Sequence, residues 1–560
     1  MATQTQTSAV TPSTAKHPDI GFFETRRGRK LVENVTAYLF LTPGLLIIFI
    51  FGIFPIFYAG YVSLFQWRIR QGEYLGLANF VNAMGDVAYV ALALFCVGLI
   101  VYSITTLRGM LNTAAEKDIP PRFPLMALVP GAFLASGLTL ILLRLITFFT
   151  QERAVELGYA QILGSIPFGL LLIAIGGGLS FYLNRWQHDA AAKSPYAILP
   201  SFTGSATNFL ITLTFGLVLA FYTYQEFLRL EGVTVADFRL SLLRIGLMTL
   251  GLIILVASFL VWQWTMKQHG RWRTIMGLLT ASAFIGAGLF FSTFWPIISR
   301  DGDPNFYRSL QVTVFYSIGT VPIQLSIALV LAYLLFQDIK GKAFFRIVFF
   351  IPYIAPAVAT AGIFEVLFSL RDRSLANQFI NFITAGTTSR LTWLKEPTSA
   401  LNVYGQMFGL EFAADWTFGP SLALTVIILY NIWVFVGYNT VIFLAGLGNI
   451  PNTLYEAAAI DGAGQWHMFR HITLPLLSPI TYLLSVLAVI GTFKAFTHIW
   501  VLRDAAALGT TDTASVYFFE TFFRGTRFGY ATSMAIVLFI IILILTLVQN
   551  KIAERRVFYG

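Results

Sequence analysis

Charge is scarce in this chain. Only 11% of its 560 residues are Asp, Glu, Lys or Arg, against roughly 25% in soluble domains, while 57% are hydrophobic. Cysteine is almost missing: Cys96 stands alone inside an apolar run, so no intrachain disulfide and no thiolate metal site can form. A buried free thiol is the expected state. The six histidines are scattered, with no His-Glu-x-x-His pair and no metal-ligand spacing. No metal site and no cofactor are expected. There is no Gly-x-x-x-x-Gly-Lys-Ser/Thr loop, so the chain cannot cradle nucleotide phosphates in the P-loop manner. There is no Gly-x-Ser-x-Gly either. Catalysis by this polypeptide is not expected.

What the chain has in abundance is apolar runs of about 20 residues or more, the length of a bilayer-spanning helix. Twelve are predicted. Seven fall near 37–66, 87–107, 124–148, 161–183, 205–227, 241–264 and 274–297. Five follow near 309–336, 344–370, 420–446, 477–502 and 528–550. Pro43 and Pro55 read as tolerated kinks in the first. The formal charge of +10 does not point to nucleic acid, because the bases sit at the ends of apolar runs, as topology signals and lipid anchors do. Arg26, Arg27, Arg29 and Lys30 precede the first run and place the N-terminus in the cytoplasm; an even number of spans returns the C-terminus there. Residues 1–20 are Thr/Ser-rich, carry no apolar core of a cleavable signal, and read as disordered. The loops with Lys267, Arg271 and Arg273, with Lys340, Lys342 and Arg346, and with Lys551, Arg555 and Arg556 fall inside in this scheme.

Between the last two pairs of runs lies a helix-forming segment with a glycine elbow, EAAAIDGAGQWHMFRHITLPLLSP, Glu456 to Pro479. Glu456, Ala457 and Ala458 are good helix formers with small side chains. Asp461, Gly462, Ala463 and Gly464 are turn formers. A short amphipathic stretch, Gln465 to His471, follows. The residues alone allow an ordinary loop helix or a docking element.

The order Glu-Ala-Ala, Asp-Gly-Ala, then Phe469, Ile472, Leu474, Pro475 and Pro479 resembles the EAA loop of ATP-binding-cassette (ABC) importer permeases. The likeness extends to FFRIVFFIPYIAPAV at 344–358, IFLAGLGNIPNTLYEAAAIDGAG at 442–464 and FGYATSMAIVLFIIILILTLVQ at 528–549. From 303 onwards, and over 37–86, the chain looks like the larger permease of maltose-type carbohydrate importers. That resemblance implies that the loop docks in a groove of an ABC ATPase subunit through Glu456, Ala457, Ala458, Asp461, Gly462, Ala463 and Gly464. It implies a second permease, an extracytoplasmic solute-binding protein, a sugar substrate and a bacterial or archaeal plasma membrane. It also implies that the helices carrying Tyr353 and Ala357, Asn431 and Tyr438, and Thr492 and Lys494 flank the sugar. Where relatives have asparagines in the last of these, this chain has Lys494 and Ala495.

Ring faces suit sugar C–H surfaces and amides suit hydroxyls, so Tyr430, Asn431, Trp433, Tyr438 and Asn439 are pathway candidates on chemistry too. The same residues equally serve interhelical hydrogen bonds and interface anchoring. Lys494 and Glu365 are ionisable groups in apolar runs and mark a cavity or partner, although Glu365 near a helix end can snorkel.

In the relatives YLGLANFVNAMGD (74–86) runs almost directly into a segment like DPNFYRSL (303–310). Here more than 200 residues intervene. The expected organisation is a cytoplasmic tail at 1–30, the first permease helix and following external segment at 31–86, a six-helix insertion at 87–300, and the permease core at 301–560 with its EAA loop at 447–479. Gly176-Gly177-Gly178 suggests close packing within the insertion. The outer segment 371–419, with Arg371, Asp372, Arg373, Trp393, Lys395 and Trp416, is either a connector or a contact surface for the solute-binding protein. The fold class is an all-α polytopic bundle of about twelve membrane helices. An ATP-independent secondary transporter or channel is the alternative function. A membrane enzyme acting on lipids would need clustered Asp, Glu or His at one face, which the chain does not carry.

Overall fold

The computed structural model describes residues 26–117, 119–150, 164–191, 202–230, 235–265, 270–337, 339–384, 386, 390–407, 409–410 and 419–556. The tail over 1–25, Lys267 and Trp416 lie outside them. Among the described residues nearly every element is helical, and one small antiparallel hairpin pairs Phe65–Trp67 with Gln71–Tyr74. Within the described residues ten helices are long and apolar enough to cross a membrane, and two bent pairs bring the number to as many as 12. This is an all-α polytopic membrane protein.

The chain up to Ala59 forms a unit of its own. It holds helix Arg26–Ile48, with Pro43 inside, and a π-helical turn, Phe49–Ile53, leading to Pro55. A proline supplies no N–H to the ladder, and a widened turn beside it absorbs the missing bond.

In the second unit, from Gly60, helix Leu422–Gly448 is the central element. It is apolar on every side, which marks a helix buried all round, and 67% of its apolar window is buried against at most 33% in the other spans. Ser421 caps its start by accepting from the Leu424 N–H at 3.0 Å. It packs on Pro304–Phe336 and on Lys342–Ile354. Tyr430, Phe443, Leu422, Leu424, Ile427 and Leu447 are its largest buried side chains.

Two predicted spans are not continuous. The run 344–370 divides into Lys342–Ile354 and Ala357–Leu367, bent by 97°. Pro356 forces Ala355 into an extended conformation (ψ 144°), as a residue before proline prefers. Tyr353 and Ala357 therefore stand on either side of a corner. The run 477–502 leaves helical geometry after Phe493 and resumes at Thr497–Leu502, so Thr492 is helical and Lys494 lies in the break.

Helices Val87–Glu116, Leu128–Thr150, Ile166–Ala191 and Thr203–Leu230 pack side by side, and Val235–Thr265 pairs with Arg271–Ile298. Of the three consecutive glycines only Gly176 is a packing residue: a Cβ there would meet the Pro130 carbonyl at 2.9 Å, whereas Gly177 and Gly178 face open space. A helix presents one residue in three or four to a neighbour, so three in a row cannot all pack.

The two ends of this region meet. Gly85 and Gly302 lie against each other, a Cβ on Gly85 coming within 2.7 Å of the Gly302 nitrogen. The Asp303 N–H donates to the Ala83 carbonyl at 3.1 Å, and the Tyr307 hydroxyl to that of Met84. Arg244, buried, pairs with Asp86 at 3.1 Å and with Asp301. Removing one partner from a buried ion pair costs on the order of 3–5 kcal/mol. Arg244→Met should accordingly lower the thermal unfolding midpoint in detergent by several degrees, and an unchanged midpoint would mean the seam holds without it.

In the segment 371–419, Trp393 is buried, not displayed: its indole N–H donates to Asn377 Oδ1 at 2.7 Å, because an aromatic with one polar atom is best placed in a core that supplies an acceptor. Lys395 pairs with Asp504 at 3.6 Å. Arg371, Asp372 and Arg373 are exposed.

Candidate functional site

The glycine elbow is a Schellman-capped helix end. Helix Asn452–Ile460 stops at Asp461. The Gly462 N–H then donates to the Ala459 carbonyl at 3.1 Å and the Ala463 N–H to that of Ala458 at 2.9 Å, the two bonds of that motif. Gly462 has φ +77°, a left-handed conformation that costs other residues about 1–2 kcal/mol. Helix Gln465–Met468, a π turn at Phe469–Thr473 and Leu474–Leu476 carry the chain back to Ser478–Phe493 across a 61° bend.

The root of the elbow is tied down and its tip is bare. Tyr455 and Thr473 share a hydrogen bond of 2.9 Å, the Phe469 ring meets Tyr333 edge-on, and Ile472 and Leu476 pack on the cluster around Phe443 and Leu447. Glu456, Ala457, Asp461, Gly462 and Gly464 are exposed, and Ala458 and Ala463 half-buried. Ile460 is 86% exposed and Trp466 67%.

The second assembly of candidate residues is a cavity of about 450 Å³ at the corner between Lys342–Ile354 and Ala357–Leu367. Tyr353, Ala357, Asn431, Tyr438 and Thr492 all line it, brought together from three stretches of chain; Lys494 is exposed and does not line it. Tyr353 and Tyr438 stack at 4.5 Å, with Phe435 edge-on to Tyr353 at 5.7 Å. The Tyr430 hydroxyl reaches the Ala357 carbonyl at 3.2 Å and shares a bond of 2.7 Å with Thr360, pinning the corner to the central helix. Thr492 donates to Ser317 Oγ at 2.8 Å.

Three further lining residues are Gln324, Asn439 and His498. The His498 ring lies parallel to Tyr430 at 5.1 Å, and its Nε2 is 2.7 Å from the Tyr316 hydroxyl. Gln324 and Asn439 are 2% and 3% exposed, yet Gln324 Oε1 and Asn439 Nδ2 have no hydrogen-bond partner. Buried polar atoms are nearly always paired; these two stand unpaired in the cavity wall. The signal for Gln324 and His498 was present as polar residues inside apolar runs. Among the described residues, no carboxylate, lysine or arginine lines the cavity. Glu365, exposed, lies elsewhere, at a separate pocket with Arg371 and Lys395.

Residues 324–559 match the family described as binding-protein-dependent transport system inner membrane component. The probable ABC transporter permease protein YesP of Bacillus subtilis is 33% identical over 289 residues, covering 51% of this chain and 82% of its own. The arabinooligosaccharides transport system permease protein AraP of Halalkalibacterium halodurans is 30% identical, over 45% of this chain and 72% of its own. The lactose transport system permease protein LacF of Rhizobium radiobacter is 28% identical, over 50% and 88%. The matched residues contain the elbow and all the candidate pathway residues, and the chain belongs to the binding-protein-dependent transport system inner membrane component family, as an ABC-transporter permease.

Proposed function

We propose that this permease forms half of the pathway of an importer for neutral sugars, driven through its elbow by a separate ATPase. The cavity lining carries the reading: stacked tyrosines for sugar faces, carboxamides and hydroxyls for sugar hydroxyls, and no carboxylate, lysine or arginine among the described residues that line it. Two relatives are named for arabino-oligosaccharide and lactose transport, which supports the same substrate class. The implied complex has a second permease, two ATPase subunits and a solute-binding protein, in a bacterial or archaeal plasma membrane. Both termini are cytoplasmic and the elbow faces the ATPase. The external segment with Arg371 to Arg373 meets the binding protein. Residues 87–300 are an insertion into a six-helix core made of 31–86 and 301–560, a reading supported by the meeting of its two ends at Gly85 and Gly302.

The test is gentle purification of the tagged chain from native membranes, with mass spectrometry of what accompanies it. An ATPase subunit and a second permease should come along. A chain that purifies alone and moves solute in liposomes without ATP would replace this reading with the secondary transporter.

Asn439→Leu and Gln324→Leu separate a guest site from a packing role. Each removes a buried atom without a partner, so unfolding midpoints should stay level or rise, because an unpaired buried group costs about 1–3 kcal/mol. Uptake should fall about tenfold, the value of one hydrogen bond of roughly 1.4 kcal/mol. Lowered stability with normal uptake would assign both residues to packing.

A further inference from the structure

Helix Leu375–Ile383 is 9 residues long, less than half of what a bilayer crossing needs. Its sequence, LANQFINFI, nonetheless sorts into three distinct faces. Leu375, Phe379, Phe382 and Ile383 fall within an arc of about 100° at 3.6 residues per turn. All four are exposed, Phe382 by 84%. Ala376 and Ile380, on the next arc round, pack on the core that holds Trp393 and Tyr430. Gln378 and Asn381 take the remaining side and are exposed.

Buried Asn377 fixes the level of this helix. Its Nδ2 donates to the Ser369 carbonyl at 3.4 Å and to that of Arg371 at 3.2 Å, in the stretch that leaves helix Ala357–Leu367. Its Oδ1 accepts from the Leu391 N–H at 3.2 Å as well as from the Trp393 indole. The chain after Trp393 is bonded in turn to the start of Leu422–Gly448. The Leu422 N–H donates to the Thr398 carbonyl at 2.9 Å, and the Ala423 N–H to that of Glu396 at 3.2 Å. Leu422–Gly448 is long and apolar enough to cross a membrane, so its first turn marks one face of the bilayer. The short helix is held at that level, where hydrocarbon gives way to head groups. A strip of large apolar side chains beside a carboxamide edge suits both media at such a boundary. A protein partner would ask for about one hydrogen bond per 100–200 Å², and the side chains of this strip offer none.

We infer that Leu375–Ile383 is an interfacial anchor lying in the plane of the membrane surface. Leu375, Phe379, Phe382 and Ile383 sit in the acyl region of the leaflet at which Leu422–Gly448 begins, and Gln378 and Asn381 lie among the head groups. Through Asn377 the anchor ties the connection between Ala357–Leu367 and Leu422–Gly448 to the lipid surface.

The experiment reads depth on the full chain, purified gently with its accompanying subunits retained and placed in lipid nanodiscs. Cys96→Ser removes the native thiol. Phe379→Cys, Phe382→Cys, Gln378→Cys and Asn381→Cys then each carry one nitroxide spin label, with Leu375→Cys in reserve should an aromatic replacement not fold. Power saturation compares collisions with oxygen, which concentrates in the apolar layer, and with a water-soluble nickel chelate, which is excluded from it. The oxygen-to-chelate ratio at the two phenylalanine positions should exceed that at Gln378 and Asn381 by roughly fivefold or more. Equal ratios at all four positions would put the helix in water. Low collision rates with both reagents at the phenylalanine positions would mean that another protein surface covers the strip. Either result would overturn the anchor.

Discussion

Gly462→Pro is expected to reduce sugar uptake at least a hundredfold while the chain still reaches the membrane in normal amount. Proline fixes φ near −65° and has no N–H. Gly462 needs φ +77° and donates to the Ala459 carbonyl. Both requirements of the Schellman turn fail at once, so the direction in which Gln465–Met468 leaves the elbow changes, and with it the relation of Ile460 to Trp466. No part of the spanning core has to move, because a Cβ at Gly462 meets nothing within 4 Å. Gly462→Ala keeps the N–H and pays only the left-handed conformation, about 1–2 kcal/mol; its uptake should fall severalfold at most. Glu456→Lys, reversing the charge on the same exposed face, should lose the ATPase in co-purification. The measurements are membrane abundance, uptake, and recovery of the ATPase subunit. Normal uptake by both Gly462→Pro and Glu456→Lys would end the coupling assignment.

Gly437→Val should prevent accumulation of folded protein altogether. A Cβ at this position would run into the carbonyl of Phe349, at the crossing of the central helix with Lys342–Ile354. The obstacle is backbone, so no change of rotamer relieves it and the two helices must part. Overpacked cores commonly lose about 1–3 kcal/mol and sometimes more; a clash with the main chain belongs at the upper end. The movement would also open the corner that places Tyr353 over Tyr438. Gly448→Ala, in the same helix, meets nothing within 4 Å and should be silent. Size-exclusion profiles of both variants in mild detergent decide the matter: a monodisperse Gly437→Val chain would show that the crossing tolerates a wider separation.

The spans were legible because bilayer thickness writes itself into run length. The elbow was legible because a left-handed helix end calls for glycine, which stands at 462. The corner at Ala355 was not: Pro352 and Pro356 sit in one uninterrupted apolar run, and proline is compatible with either a kink or a break. The break at Lys494 was hidden in the same way, since hydropathy averages over several residues. Five of the six pathway residues line one cavity, while Gln324, on a helix not assigned to the pathway, and His498, two turns of chain from Thr492, joined them only through packing. The buried ion cluster of Arg244 was out of reach as well, because Asp86, Arg244 and Asp301 are far apart in sequence and none belongs to a local pattern.

The contact between Gly85 and Gly302 has a consequence for ancestry. Residues on either side of it already touch, so, on the proposed reading of 87–300 as an insertion, material can be spliced in at that point with both flanks still side by side. A single recombination event suffices, provided it keeps the reading frame and carries an even number of crossings, and a permease gene can in this way acquire or shed over 200 codons without redesigning the transporter around them.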